Sequence, residues 1–142
     1  MHILLCLDDT SLSQPALALG ERFALSLHAE VTLLLASPQL SPSPALIATA
    51  TDLCARSGAS KLPCTMLTQR EIPRRAIIAQ TEASPYDIVV VGLLERGRVR
   101  RWLRGSSIRR VLQTVSAPVL VAPSDRTILK RILLCSSDLW YP

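Results

Sequence analysis

Glycine, serine and arginine crowd one stretch of this chain, and they are the residues best suited to chemistry. Gly92, Gly97 and Gly105 lack a Cβ, which lets a backbone come close to an anion. Ser106 and Ser107 follow at once and open a helical pattern, whose free N–H groups and dipole favour negative charge. Together they would suit a phosphate. Taken singly, Gly92 equally serves to turn the chain out of a strand, and Gly105-Ser106 reads as a plain capped helix start. Seven arginines lie between positions 96 and 110 (Arg96, Arg98, Arg100, Arg101, Arg104, Arg109, Arg110), with no acid among them. The remainder of the chain holds nine basic and eleven acidic residues, so the net charge of +5 is one local feature. The cluster reads as a solvated face, as a phosphate or acidic-partner contact with Arg96 and Arg98 nearest the glycines, or, least of all, as a nucleic-acid contact. Trp102 is its sole stacking side chain.

Other chemistry finds no residues to carry it. There is no nucleophile elbow, no Walker lysine motif and no metal-ligand spacing, so no catalytic residue is assigned; slow ATP hydrolysis is the most the chain would do. Asp8 and Asp9 are adjacent carboxylates at a strand-to-helix turn, a place for a cap or ligand contact rather than an acid/base pair. His2 and His28 lack metal-site spacing and read as surface or satisfied histidines. Cys6, Cys54, Cys64 and Cys135 show no C-x-x-C pairing and are expected to be buried, reduced thiols of a cytoplasmic protein. The opening Met1–Leu5 has no basic region before it and Asp8-Asp9 ends its apolar run, so neither a signal peptide nor a membrane span is expected.

These residues need a scaffold, and the hydropathy pattern supplies one. The 142 residues are 49% hydrophobic and only 4% aromatic, so a core of Leu, Val, Ile and Ala is expected. Short unbroken apolar runs at Ile3–Leu7, Val31–Ala36 and Tyr86–Gly92 read as buried strands, with Cys64–Thr68 and Pro118–Pro123 as two more. Between them, Leu12, Ala16, Leu19, Phe23 and Leu27 keep helical intervals, and Pro15 is tolerable only in a first turn. A proline-rich loop over 37–44 precedes a helix over 45–57 that Gly58 is expected to stop. Residues 73–83 predict a third helix, with Ile72, Ala76, Ile77 and Gln80 on one side. A fourth, capped by Ser106, would use Ile108, Val111, Leu112 and Val115. Strands alternating with helices give an α/β, doubly wound parallel sheet. Asp8, Ala36, Gly92 and the loop to Gly105 then fall at strand carboxyl ends, where such sheets bind ligands.

The stretch 89–123, VVVGLLERGRVRRWLRGSSIRRVLQTVSAPVLVAP, resembles the universal stress protein family, and ILLCLDDTSLSQPALAL is similar to that family's first strand and helix. The resemblance covers residues 1 to about 123. It implies a five-stranded sheet of order 3-2-1-4-5 of the adenine nucleotide alpha hydrolase type, dimerisation through the last strand, and ATP or AMP binding in one branch, with magnesium accompanying ATP. That branch carries Gly, two residues, Gly, nine residues and Gly-Ser. Gly92, Gly105 and Ser106 keep this spacing, while Glu95 replaces the middle glycine and Gly97 lies two residues on. By the same likeness Asp8 would meet the nucleotide and Ala36 would hold adenine through its backbone. The resemblance thus implies a nucleotide-binding set of Asp8, Ala36, Gly92, Gly97, Gly105, Ser106 and Ser107 in a stress-response regulatory module. A nucleotide-free dimerisation or docking scaffold of the same family is the alternative.

Residues 1–123 are therefore expected to form one domain. The tail 124–142 is expected to be a linker and the start of a second copy, because Ile132-Leu133-Leu134-Cys135 echoes Ile3-Leu4-Leu5-Cys6. On that reading the sequence is a piece of a tandem protein, or its tail adds an edge strand and the partner is a homodimer or tandem pseudo-dimer.

Overall fold

The computed structural model describes residues 1–8, 13–39, 41–92, 110–111 and 113–122. Its strands are β1 (His2–Leu7), β2 (Glu30–Ala36), β3 (Cys64–Gln69), β4 (Ile88–Gly92) and β5 (Val119–Ala122). Helices α1 (Ser13–Leu27), α2 (Pro44–Ala59) and α3 (Pro73–Ala83) connect the first four. Arg110, Val111, Gln113 and Thr114 are also helical, ahead of β5. All four pairings are parallel and the order is β3-β2-β1-β4-β5, as the family likeness implied. Leu12, Ile108, Leu112, the Ser106 cap and the tail 124–142 lie outside the described residues.

The three inner strands β1, β2 and β4 are largely apolar on both sides because both sides are covered, whereas β3 at the edge is half exposed. Odd residues of β1 and β2 (Ile3, Leu5, Leu7, Val31, Leu33, Leu35) point to a layer built by α1 and α2, through Ala16, Leu19, Leu46, Ala50 and Leu53. Even residues (Leu4, Cys6, Leu34, Ala36) point to the opposite layer, with Ala76 and Ile77 of α3 and Val111 and Val115. Alternation at period two divides one continuous apolar sequence between two cores. Gly20 of α1 lies so close to β1 that an added Cβ would stand 2.7 Å from Leu5 Cδ1.

Helix ends depart from the sequence reading in one place. Gly58 does not stop α2; the helix continues to Ala59 and caps at Ser60, and Lys61 takes the left-handed turn with φ 59°. Leu62 N donates to Ser57 O at 2.9 Å, which closes the six-residue Schellman loop. A glycine was not required there because Leu62, once buried, fixes the exit. Helix α1 ends the same way on His28, φ 49°, with Ala29 N donating to Ala24 O at 3.0 Å. At its start α2 has Pro44 in the first turn and Ser43 as cap, whose side chain accepts from Leu46 N at 3.2 Å.

Candidate functional site

The strand order reverses between β1 and β4: from β1 the chain winds out through β2 to β3, then crosses back to β4 and β5. Ligands of such sheets sit outside the strand carboxyl ends at this switch point. Three of the expected residues stand there. Gly92 is the last residue of β4 and Ala36 the last of β2, and Asp8 follows the last residue of β1. Leu7 pairs with Leu35, so Asp8 comes level with Ala36 on its neighbour. Ile3 pairs with Ile88 and Leu5 with Val90, which brings Gly92 level with Leu7 on the other side. With strands about 4.8 Å apart, all three share one short rim.

Their environments differ. Ala36 is fully buried and offers only backbone. Asp8 is half-buried, and its charge is close enough to act on Cys6 two residues earlier. Burial first, and the Asp8 charge second, push the Cys6 thiol up to about 12. That thiol stays protonated, which agrees with a buried, inert cysteine.

The wall beside Ala36 is shaped by a residue that sequence reading passed over. Ser37 is buried, its N donates to Gln69 O of β3 at 3.2 Å, and its Oγ accepts from Gln39 N at 3.3 Å. A serine before Pro38 carries this local turn as its signal. Gly97, Gly105, Ser106, Ser107, Arg96, Arg98 and Glu95 all lie outside the described residues.

Elsewhere the polar side chains pair off. His2 and Thr32 share a hydrogen bond at 2.7 Å, and the His2 and Tyr86 rings meet with centroids 4.4 Å apart. Gln80 Nε2 donates to Tyr86 Oη at 2.8 Å, and Gln69 Nε2 to Gln80 Oε1 at 3.2 Å. His2 is thus a satisfied residue of the fold. Among the described residues no cluster of His, Cys, Asp or Glu would hold a metal, and no helix is long and apolar enough to cross a membrane.

The cysteine expectation needs correction. Cys54 of α2 and Cys64 of β3 form a disulfide, with Cα atoms 5.3 Å apart, so only Cys6 of the described cysteines keeps a free thiol. A spacing of ten residues gave no hint of it. The pair meets because α2 runs back along the edge of the sheet and its exit turn delivers β3 beneath it.

A five-stranded parallel sheet of this order with helices on both faces matches the adenine nucleotide alpha hydrolase-like α/β fold. The chain belongs to the universal stress protein family, whose model matches residues 46–123, more than half of its length. Solved structures agree on the fold. A universal stress protein in complex with cAMP is 17% identical with a TM-score of 0.66, covering 86% of this chain and 96% of that one. A family protein from Arabidopsis thaliana with AMP bound is 12% identical with a TM-score of 0.61, covering 87% and 91%. A universal stress protein from Archaeoglobus fulgidus is 19% identical with a TM-score of 0.69, covering 86% of this chain and 43% of that one. No curated protein is matched by sequence.

Proposed function

We propose that this universal stress protein module binds an adenine nucleotide, ATP or AMP, as a regulatory ligand in a stress response, with magnesium accompanying ATP. The observation that carries the reading is the shared rim of Asp8, Ala36 and Gly92 beside the β1–β4 switch point. Structures of the same fold with cAMP or AMP bound support the ligand class. Ala36 would meet adenine through its backbone, and Asp8 would accept from the ligand. Gly92, Gly97 and Gly105 would allow close backbone approach, with Ser106 and Ser107 at the phosphates and Arg96 and Arg98 as anion contacts. No step of chemistry is assigned to these residues. The module acts by holding ligand in the cytoplasm, as one domain over residues 1–123, with 124–142 leading toward a second copy or adding an edge strand.

Affinity is expected to be weak, because Glu95 stands where the motif has a glycine. A unit charge about 5 Å from a phosphate, at an effective dielectric of about 20, costs about 3 kcal/mol. That corresponds to about a hundredfold in affinity, an upper bound given the arginines nearby. Titration calorimetry at fixed salt is the test. Glu95→Gly should tighten ATP binding by up to about a hundredfold, and Gly105→Val should abolish it. Tight wild-type binding that Glu95→Gly leaves unchanged would refute the placing of that side chain. No binding by either protein would favour the second reading, a docking scaffold dimerised through β5. The support for that reading is the half-exposed Val119, Leu120 and Val121 on a strand paired only with β4 among the described residues.

A further inference from the structure

We propose that Cys54 and Cys64 form a reversible thiol–disulfide modification site, a latch between α2 and the edge strand β3 that exchanges with a small thiol or a dithiol protein. Two features of the pair separate it from a permanently sealed bridge. Both cysteines are only partly buried, at the margin of the α1–α2 core and next to an exposed edge strand, whereas Cys6 lies in the core. The turn that joins them is also closed without the sulfurs. Ser60 N donates to Arg56 O at 3.2 Å, Lys61 N to Gly58 O at 3.0 Å and Leu62 N to Ser57 O at 2.9 Å. Beyond the turn, Val31 N donates to Pro63 O at 2.9 Å and ties the start of β3 to β2. With Leu62 buried as well, the two sulfurs remain neighbours after the bond breaks and are placed to rejoin.

What the bond adds is restraint on an edge. Strand β3 pairs only with β2 among the described residues, and Thr65, Met66 and Thr68 are exposed. Its first residue carries Cys64, so the disulfide fastens one end of an otherwise one-sided strand to the helix above it. At the far end of β3, Gln69 O accepts from Ser37 N next to Ala36, so the latch lies on the strand that borders the candidate rim.

The chemistry balances. A thiolate from the co-reactant attacks one sulfur of the pair, the S–S electron pair leaves with the other sulfur, and that thiolate takes up a proton. A second thiolate resolves the mixed disulfide, so two co-reactant thiols become one disulfide and the protein gains two thiols. Oxidation by a disulfide of the same class reverses each step. Site selectivity follows from the core position of Cys6, whose thiol resists ionisation.

The test uses the full chain in native buffer over a series of reduced-to-oxidised glutathione ratios. Acid quench, alkylation and peptide mass spectrometry read the pairing, and hydrogen exchange on matched samples reads the edge. The expected result is one complete transition between a Cys54–Cys64 disulfide and two alkylated thiols without denaturant, with Cys6 unchanged. Exchange of the β3 amides that bond β2 should be at least tenfold faster in the reduced form, and β1 should be unaffected. A doubly substituted Cys54→Ala/Cys64→Ala protein should match the reduced form and ignore the redox series. If that variant does not fold, the reduced wild type carries the comparison by itself. The proposal is overturned by a pair that opens only in denaturant, by pairing with Cys6 or Cys135 instead, or by equal exchange of β3 in both forms.

Discussion

The two faces of the sheet are covered by different means. On the α1–α2 face the fit is a matter of volume: Leu5, Leu33, Leu35, Leu53 and Val90 are essentially without exposed surface, and Gly20 lets α1 descend onto Leu5. On the α3 face the apolar layer gives way to a chain of partners, Gln69 to Gln80 to Tyr86, then ring contact to His2 and a hydrogen bond to Thr32. No buried side-chain polar atom among the described residues lacks a partner. Close packing sets how firmly the first face holds. The polar chain helps set where α3 sits along the second, because Gln80 bonds both Gln69 of β3 and Tyr86. A face held by volume tolerates sliding poorly but rotation of similar side chains well; a face held by paired polar groups penalises any shift that breaks the pairing.

Substitutions sharpen this contrast, and their effects should differ in size. Leu5→Ala removes side-chain volume beneath Gly20 at the centre of the volume-held face. It should cost about 2–5 kcal/mol in urea unfolding with the slope unchanged. Less than about 1 kcal/mol would mean that α1 collapses into the space and that the packing is not close. Next, Gln80→Leu keeps the bulk but strands the Gln69 amide and the Tyr86 hydroxyl. A loss of about 1–3 kcal/mol is expected, and no loss would show that the polar chain contributes nothing beyond shape. The smallest effect separates the two helical glycines. Nothing lies within 4 Å of a Cβ added at Gly58, so Gly58→Ala should stabilise by about 0.5–1 kcal/mol through helix propensity. At Gly20 the same change meets Leu5 and should lose that gain. Equal gains in thermal melts at both sites would contradict the close approach of α1.

Most of the architecture was legible in the sequence because it depends on local apolar runs. Ile3–Leu7, Val31–Ala36 and the β4 run each bury two faces, and a sequence states this by never alternating. The order of the strands entered through family likeness, since nothing local distinguishes one parallel neighbour from another. Gly58 misled because glycine in a helical pattern signals an end only where no tertiary contact overrides it, and Leu62 provides that contact. The disulfide was invisible for a related reason: Cys54 and Cys64 face each other across a tertiary turn, not along one element. At the rim, the apolar runs placed Asp8, Ala36 and Gly92 at strand ends, as the structure has them, while the ligand roles expected of them came from family likeness. Ser37 was missed because its role is a backbone hydrogen bond to another strand.

The central place of β1 also governs how the molecule assembles in time. Ile3 pairs with Val31 on one side and with Ile88 on the other, so the first strand made is completed only after most of the chain exists. Loop closure over that span must precede any reward from the β1–β4 contact, which makes this pairing an expected late and slow event. During synthesis, β1, β2 and β3 are available to associate as a half-sheet, one of whose two open edges is the apolar strand His2–Leu7. Such an unpaired apolar edge invites pairing with another chain, and β4, Ile88–Gly92, is the segment whose arrival covers it.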